Sequence, residues 1–274
     1  MHNLYSRESQ AEDSIISVAG VPIGGRDIII AAGPCSVEGE EQIMQTASAV
    51  KSAGAAILRG GAFKPRTSPY SFQGLGEEGL LMLKGAGEKF GMPIVSELMD
   101  TSAIKLFSKN VNLIQIGARN AQNFSMLTEV GKVSTPVLLK NGLATTIDEW
   151  LMSSEYILNG GNKNVILCYR GVRGFEQATR FSMDLAAIKI IKEKSHLPVA
   201  VDPSHAAGRR ALVEPLALAA IAAGADMLEI EVHPDPNKAK SDKDQQITFN
   251  EFEHLMEKAN KVARALGRRI YVPK

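Results

Sequence analysis

The sequence predicts a single closed (β/α)8 barrel, a TIM barrel, preceded by a short N-terminal β-hairpin. Three observations carry this. Eight short apolar runs recur between residues 27 and 231, each followed by a Gly, Pro or polar turn and then a longer helical pattern. The runs are continuous rather than alternating, as strands buried on both faces should be. Polar and charged residues gather just after the runs, on the rim where barrel active sites are built.

Taken in order, the runs are Asp27 to Ala32, Ala55 to Arg59, Pro93 to Ser96, Leu113 to Ile116, Val137 to Leu139, Val165 to Cys168, Pro198 to Val201 and Met227 to Glu231. Amphipathic stretches such as Glu41 to Ala53, Ser102 to Asn110, Thr146 to Asn159, Ser182 to Lys194 and Glu214 to Ala223 lie between them. Gly54, Gly91, Gly160 and Gly224 follow several of these as helix stops. Strand alternating with helix implies right-handed βαβ units and a parallel sheet. Eight repeats favour closure over a doubly wound open sheet, which is the structural alternative. Ser17 to Ile23, with Gly20 at its turn, reads as a hairpin that plugs the bottom of the barrel. The expected organisation is a flexible segment over 1–16 and one barrel domain over 17–274.

Composition narrows the function. The 274 residues carry 31 basic and 30 acidic side chains, a net charge of +1, which argues against a nucleic-acid partner. No apolar run approaches the roughly 20 residues of a membrane span. The polar N-terminus MHNLYSRESQAEDSII has no apolar core of a secretory signal. Two cysteines are no disulfide framework and point to a reducing cytoplasm. An enzyme-sized globule remains.

The strand ends supply two chemical sets. Arg59, Lys64, Arg66, Arg119, Lys140 and Arg170 are cationic in a chain that is nearly neutral. Singly, each is an ordinary solvated charge. Six at strand ends need an anion to offset their repulsion, and guanidinium forks suit phosphate and carboxylate. The expected substrates are therefore polyanions. Cys35, His205, Glu231 and Asp242 form the second set. A thiolate, an imidazole and two carboxylates suit Mn²⁺, Fe²⁺, Co²⁺ or Zn²⁺ better than Mg²⁺ or Ca²⁺. They come from the first, seventh and eighth strands, which become neighbours only if a barrel closes. Cys168 is assigned to the core, His2, His196 and His254 to the surface, and Met126, Met183 and Met227 to packing. Trp150 reads as core or interface. His233 either backs a ligand or simply turns the chain.

The motifs GPCSVE, LRGGAFKPRTSPYSFQGLG, IGARN, LLKNG, YRG, DPSH, EVHP and SDxxQ, in this order and spacing, resemble 3-deoxy-D-arabino-heptulosonate 7-phosphate (DAHP) synthases. More narrowly, they look like the short beta-type form without a regulatory domain. The likeness runs from about Gly20 to the C-terminus, and the KPRTSP loop is its most specific part. It implies condensation of phosphoenolpyruvate with erythrose 4-phosphate, the first step of the shikimate route. By resemblance, Cys35, His205, Glu231 and Asp242 hold a divalent metal ion, manganese foremost. Arg59, Lys64, Arg119, Lys140 and Arg170, with the Ala118 backbone N–H, bind phosphoenolpyruvate. Arg66 and Thr67, beside Pro65, take the aldehyde's phosphate. Glu97 with Lys140 orients the attacking water, and Lys64 is the general acid. The resemblance also implies a homo-oligomer, dimer or tetramer, and leaves room for a regulatory partner protein.

Three positions depart from the family pattern. Tyr169 replaces a Glu before Arg170, Gly174 replaces a Thr, and Lys243 follows Asp242 where Gly is common. The first removes a carboxylate beside a phosphate-binding Arg, and the last bears on the Asp242 loop. Rival readings are a related sugar-acid synthase with another phosphosugar acceptor, such as 3-deoxy-octulosonate 8-phosphate synthase, an aldolase using Lys140 as a Schiff base, and a non-catalytic barrel that binds phosphometabolites.

Overall fold

The computed structural model describes residues 2–64 and 68–273. Pro65, Arg66 and Thr67 lie outside the described residues. A hairpin of β1 (Ile16–Val18) and β2 (Val21–Ile23) comes first, paired antiparallel. Eight parallel strands follow: β3 (Asp27–Gly33), β4 (Ile57–Arg59), β5 (Ile94–Leu98), β6 (Leu113–Ile116), β7 (Val137–Lys140), β8 (Val165–Tyr169), β9 (Val199–Val201) and β10 (Met227–Glu231). Each pairs with its neighbour in sequence, and β10 pairs with β3 from Met227↔Ile29 to Glu231↔Gly33, which closes the barrel. The open-sheet alternative is thereby excluded. A two-residue strand, β11 (Arg269–Ile270), extends the N-terminal end of β3.

The outer layer holds α1 (Glu40–Ser52), α2 (Gly76–Phe90), α3 (Ile104–Asn110), α4 (Phe124–Val130), α5 (Ile147–Asn159), α6 (Ala186–Lys194), α7 (Pro203–Ala207), α8 (Arg210–Ala222) and α9 (Phe249–Ala265). Local chemistry sets several ends. Thr146 and Glu149 form a capping box at the start of α5, and Thr248 and Glu251 do the same for α9. Gly91 ends α2 in the left-handed region at φ 62°, where a side chain would be strained. Two boundaries differ from the sequence reading. The chain from Ser182 to α6 is not helical at its start, because Ser182 exchanges both backbone hydrogen bonds with Val172 and ties off a loop. α8 starts earlier, at Arg210, whose N–H donates to Asp244.

The interior of the barrel is layered. Towards the N-terminal ends of the strands, Ile29, Ala31, Ile57, Val95, Leu113, Leu138, Ile166, Cys168, Ala200 and Met227 form an apolar cluster with Ile16, Val18, Val21 and Ile23 of the hairpin. The hairpin is the plug expected of it. A second, larger cluster lies between strands and helices and contains Trp150, whose Nε1 donates to Leu139 O at 3.3 Å.

Residues 2–16 of the lead-in, expected to be flexible, are tied to the barrel by hydrogen bonds. Arg7 donates to Lys192 O, Ser6 bridges Ser195, and Leu4 N donates to Glu155. His196, read as a surface residue, is buried beneath this segment, with Nδ1 2.8 Å from Ser14 Oγ and Nε2 2.7 Å from Leu4 O. Its ring satisfies backbone and hydroxyl groups that the segment would otherwise bury without partners. Among the described residues, no helix is long and apolar enough to cross a membrane.

Candidate active site

The two-residue side-chain period of a strand builds the site. Along seven of the eight barrel strands, the face that is apolar at the bottom turns polar two or four residues on. Ile57 leads to Arg59, Val95 to Glu97, Leu113 to Gln115, Leu138 to Lys140, Cys168 to Arg170, Ala200 to Asp202, and Met227 to Glu229 and then Glu231. An apolar floor thus carries a charged layer, and all of it faces the mouth at the strand C-termini.

Three of the expected metal ligands offer donor atoms within 4.8 Å of one another: Cys35 Sγ and carboxylate oxygens of Glu231 and Asp242. The fourth, His205, directs Nε2 to 3.6 Å from Glu231 Oε1 and 3.7 Å from Asp242 Oδ2. Its Nδ1 lies 2.6 Å from Asp202 Oδ2, which orients the ring and turns Nε2 towards the cluster. A carboxylate behind a histidine is how metal-binding imidazoles are held. Burial, aided by the Glu231 charge, pushes the Cys35 thiol up to about 12 against the opposing pull of the Lys64 charge. Burial would raise Glu231 as well, but the His205 and Arg59 charges outweigh it and hold the carboxyl below its usual range. The donor set fits a borderline divalent ion.

The cationic set is less exposed to its own repulsion than the sequence suggests. Lys140 Nζ sits 2.5 Å from Asp202 Oδ2 and 2.7 Å from Glu229 Oε2. Arg59 Nη1 donates to Glu231 Oε1 at 2.7 Å and to Pro34 O at 2.9 Å, and its Nε is 3.6 Å from Glu229 Oε1. Burial opposes both charges, yet Asp202 and Glu229 hold Lys140 above its ordinary range, and Glu231 and Glu229 do the same for Arg59. Glu229 is a partner that sequence reading missed. Its position two residues before Glu231 on the same strand face was the available signal. Lys64 lies on the metal-type cluster, with Nζ 2.9 Å from Cys35 O and 3.1 Å from Cys35 Sγ.

Above this layer opens a cavity of about 350 Å³, lined by Lys64, Glu97, Gln115, Ala118, Arg119, Lys140, Arg170, Arg173, Arg180, His205 and Asp242 among others. Arg59, Cys35 and Glu231 stand behind its wall. Two buried guanidinium donors, Arg59 Nε and Arg170 Nη1, have no hydrogen-bond partner among the described residues. Burial lowers Arg170 to about 10, still charged at neutral pH, and its guanidinium stacks 3.6 Å from the centre of the Phe181 ring. Arg180, also unforeseen, donates to Gln245 Oε1 at 2.9 Å and approaches Asp242. Glu97 does not pair with Lys140, whose ammonium is taken by Asp202 and Glu229. It accepts instead from Gln115 at 3.4 Å and presses against Gly117, where a Cβ would lie 1.9 Å from its Oε1.

Two of the three departures from the family pattern, Tyr169 and Lys243, have a structural reading. Tyr169 points outward, next to inward-facing Arg170. Its ring lies 6.2 Å from Trp150 and its hydroxyl accepts from Asp184 N, so no cavity-facing carboxylate is lost there. Asp242 itself takes the left-handed conformation, φ 44°, whereas Lys243 has no positive φ and needs no glycine. His233 is buried in the turn after β10, where its Nδ1 accepts from Asp235 N at 3.1 Å and its Nε2 lies 3.6 Å from Glu38 Oε2.

A closed parallel barrel with an anion-type cavity and a metal-type donor cluster on its C-terminal rim defines an enzyme of the barrel class. The chain belongs to the DAHP synthetase I family, whose model it matches over residues 9–267. It is 52% identical to the phospho-2-dehydro-3-deoxyheptonate aldolase of Thermotoga maritima over 266 residues, 97% of this chain and 79% of that protein. The crystal structure of DAHP synthase from Thermotoga maritima matches with a TM-score of 0.96 at 50% identity, covering 98% of this chain and 79% of the other. A truncated form of that synthase gives 0.92 at 47% identity, with 98% of both chains covered. Identity to the 2-dehydro-3-deoxyphosphooctonate aldolase of Geobacter sulfurreducens is 29%, over 89% of this chain and 95% of that protein.

Proposed function

We propose that this enzyme joins phosphoenolpyruvate to erythrose 4-phosphate and water, giving 3-deoxy-D-arabino-heptulosonate 7-phosphate and inorganic phosphate. Its cofactor would be a divalent metal ion, Mn²⁺ foremost, with Fe²⁺, Co²⁺ or Zn²⁺ able to serve. One observation carries the reading: four metal-type donors and two buried guanidinium groups, Arg59 and Arg170, meet at one barrel mouth. Identity of 52% to the seven-carbon synthase against 29% to the eight-carbon enzyme supports the four-carbon acceptor.

Arg170, Arg119, Lys64, Lys140 and Arg59, with the Ala118 N–H, hold phosphoenolpyruvate. Arg66 and Thr67, beside Pro65, take the aldehyde's phosphate. The internal carboxylates lower the repulsion among these cations, so two anionic substrates can be held together, a proximity effect worth several kcal/mol. Cys35, His205, Glu231 and Asp242 would hold the metal ion, which when bound supplies Lewis-acid polarisation of the aldehyde oxygen. Lys64 Nζ donates a proton towards that oxygen as C3 of the enol attacks. Glu97 orients the water that adds to C2. A Schiff base at Lys140 is disfavoured, since two carboxylates hold that ammonium charged. Two buried free thiols fit a reducing cytoplasm, and the working form is proposed to be a homo-oligomer.

The test is phosphate release from phosphoenolpyruvate with erythrose 4-phosphate against arabinose 5-phosphate, with Mn²⁺ added to chelator-treated protein. Release should require the four-carbon sugar and the metal. Cys35→Ala should cost more than the roughly 10–100-fold that loss of an outer partner of a metal costs. Full activity of metal-stripped Cys35→Ala protein would sink the metal assignment, and a preference for the five-carbon sugar would sink the substrate.

A further inference from the structure

We propose that Gln246 is a positioning residue that laces the Cys35 loop to the Asp242 loop and so sets the affinity and thiolate character of the metal centre. The inference rests on the reading of Cys35 and Asp242 as metal ligands.

Gln246 has no exposed surface. Its Oε1 accepts from Cys35 N at 2.9 Å, and its Nε2 donates to Ser241 O at 2.8 Å. One amide therefore ties the backbone of one expected ligand to the residue just before another. The two loops leave neighbouring strands, β3 and β10, whose pairing ends at Glu231↔Gly33, and the amide ties them beyond that point. A second strap, Ser36 Oγ to Ser241 Oγ at 2.7 Å, runs parallel to the first. The amide is itself well founded. Next to it, Ile247 N donates to Glu231 O and Ile247 O accepts from His233 N, which fixes residue 246 against the strand that carries Glu231. Arg210 Nε donates to Gln246 O at 2.8 Å. Gln246 thus refers the placement of Cys35 and Asp242 to Glu231.

The chemistry requires an amide. A carboxylate here would still accept from Cys35 N but would set oxygen against Ser241 O. A thioether of the same length would satisfy neither group and leave both buried without partners. Asp242 sits at φ 44°, a conformation unfavourable for a side-chain-bearing residue unless its surroundings hold it, and the Ser241 tie is part of that hold.

The experiment uses the full chain loaded with Co²⁺, whose thiolate charge-transfer absorption reports coordination by Cys35. Wild type should bind Co²⁺ and show the band, and Cys35→Ser should lose it. Gln246→Met should weaken Co²⁺ binding by about 10–100-fold, measured against a chromophoric chelator, with a fainter band per bound ion. Gln246→Glu should keep the band, because Cys35 N is still held, and should bind Co²⁺ less tightly than wild type. A merely structural glutamine would lower the unfolding temperature and leave affinity and band unchanged. That result, in whichever variant folds, would overturn the proposal while the metal reading stands. Absence of the band from wild type, or its persistence in Cys35→Ser, would remove the ligand assignment and this proposal with it.

Discussion

At the scale of single residues, the state of Cys35 has a measurable consequence. With its thiol pushed up to about 12, the metal-free enzyme carries the proton on sulfur at neutral pH. A metal ion can be bound only by the thiolate, so binding expels that proton. Affinity should therefore tighten with rising pH, by about tenfold per unit while the free thiol is protonated and no other ligand titrates. Titration of Co²⁺ into weakly buffered wild type at pH 8 should release one proton more than the same titration of Cys35→Ser. Equal release from both would mean that sulfur does not ligate. Residue chemistry was the part of the site most legible in the sequence, since Cys35, His205, Glu231 and Asp242 were identifiable by type and by place at the strand ends. What that reading lacked was pairing. Asp202, Glu229 and Gln245 change the site by what they touch, and contact across a barrel is invisible to linear spacing.

At the scale of elements, eight continuous apolar runs were enough to place the strands, because each is too short for a helix and is bounded by Gly, Pro or polar turn residues. Helix starts were less legible. Ser182 carries no local signal that its backbone bonds to Val172, and the lead-in's anchoring through His196 depends on a surface that exists only once α5 and α6 have packed. The hairpin was readable, and its role is testable. Ile23 is fully buried and packs with the bottom of the barrel. Ile23→Ala should cost about 2–5 kcal/mol, as deletion of a buried branched side chain does when the cavity cannot collapse. The denaturant midpoint of the metal-free protein should fall accordingly. Co²⁺ affinity should change little, since the apolar layer of the barrel lies between hairpin and metal cluster. A large loss of Co²⁺ binding with an unchanged midpoint would contradict this division of labour.

At the scale of the whole molecule, the barrel interior changes from apolar floor to charged ceiling over two residues of strand, and the ceiling is stable only as a balanced set. Lys140 is the test of that balance, because its ammonium is 2.5 Å from Asp202 and 2.7 Å from Glu229, all three nearly inaccessible to solvent. Lys140→Met keeps the length of the side chain and deletes the charge, leaving two carboxylates facing each other. Loss of one partner of a buried pair costs about 3–5 kcal/mol. Adding Glu229→Gln should recover part of this, because the remaining carboxylate, Asp202, still has the His205 ring at 2.6 Å. The pH dependence has a definite sign. Burial alone would raise Asp202, but His205 and Lys140 hold it well below its ordinary value in the fold. Its contribution is therefore complete above the unfolded value near 3.9 and fades as pH falls through the folded value. The gap in stability between wild type and Lys140→Met should be full at pH 7 and narrow in acid below about 4. Equilibrium unfolding of metal-stripped wild type, Lys140→Met, Glu229→Gln and the double variant at both pH values measures each term. Strict additivity of the two substitutions would show that Lys140 and Glu229 do not interact across the barrel, and the charged layer would then have to be explained residue by residue.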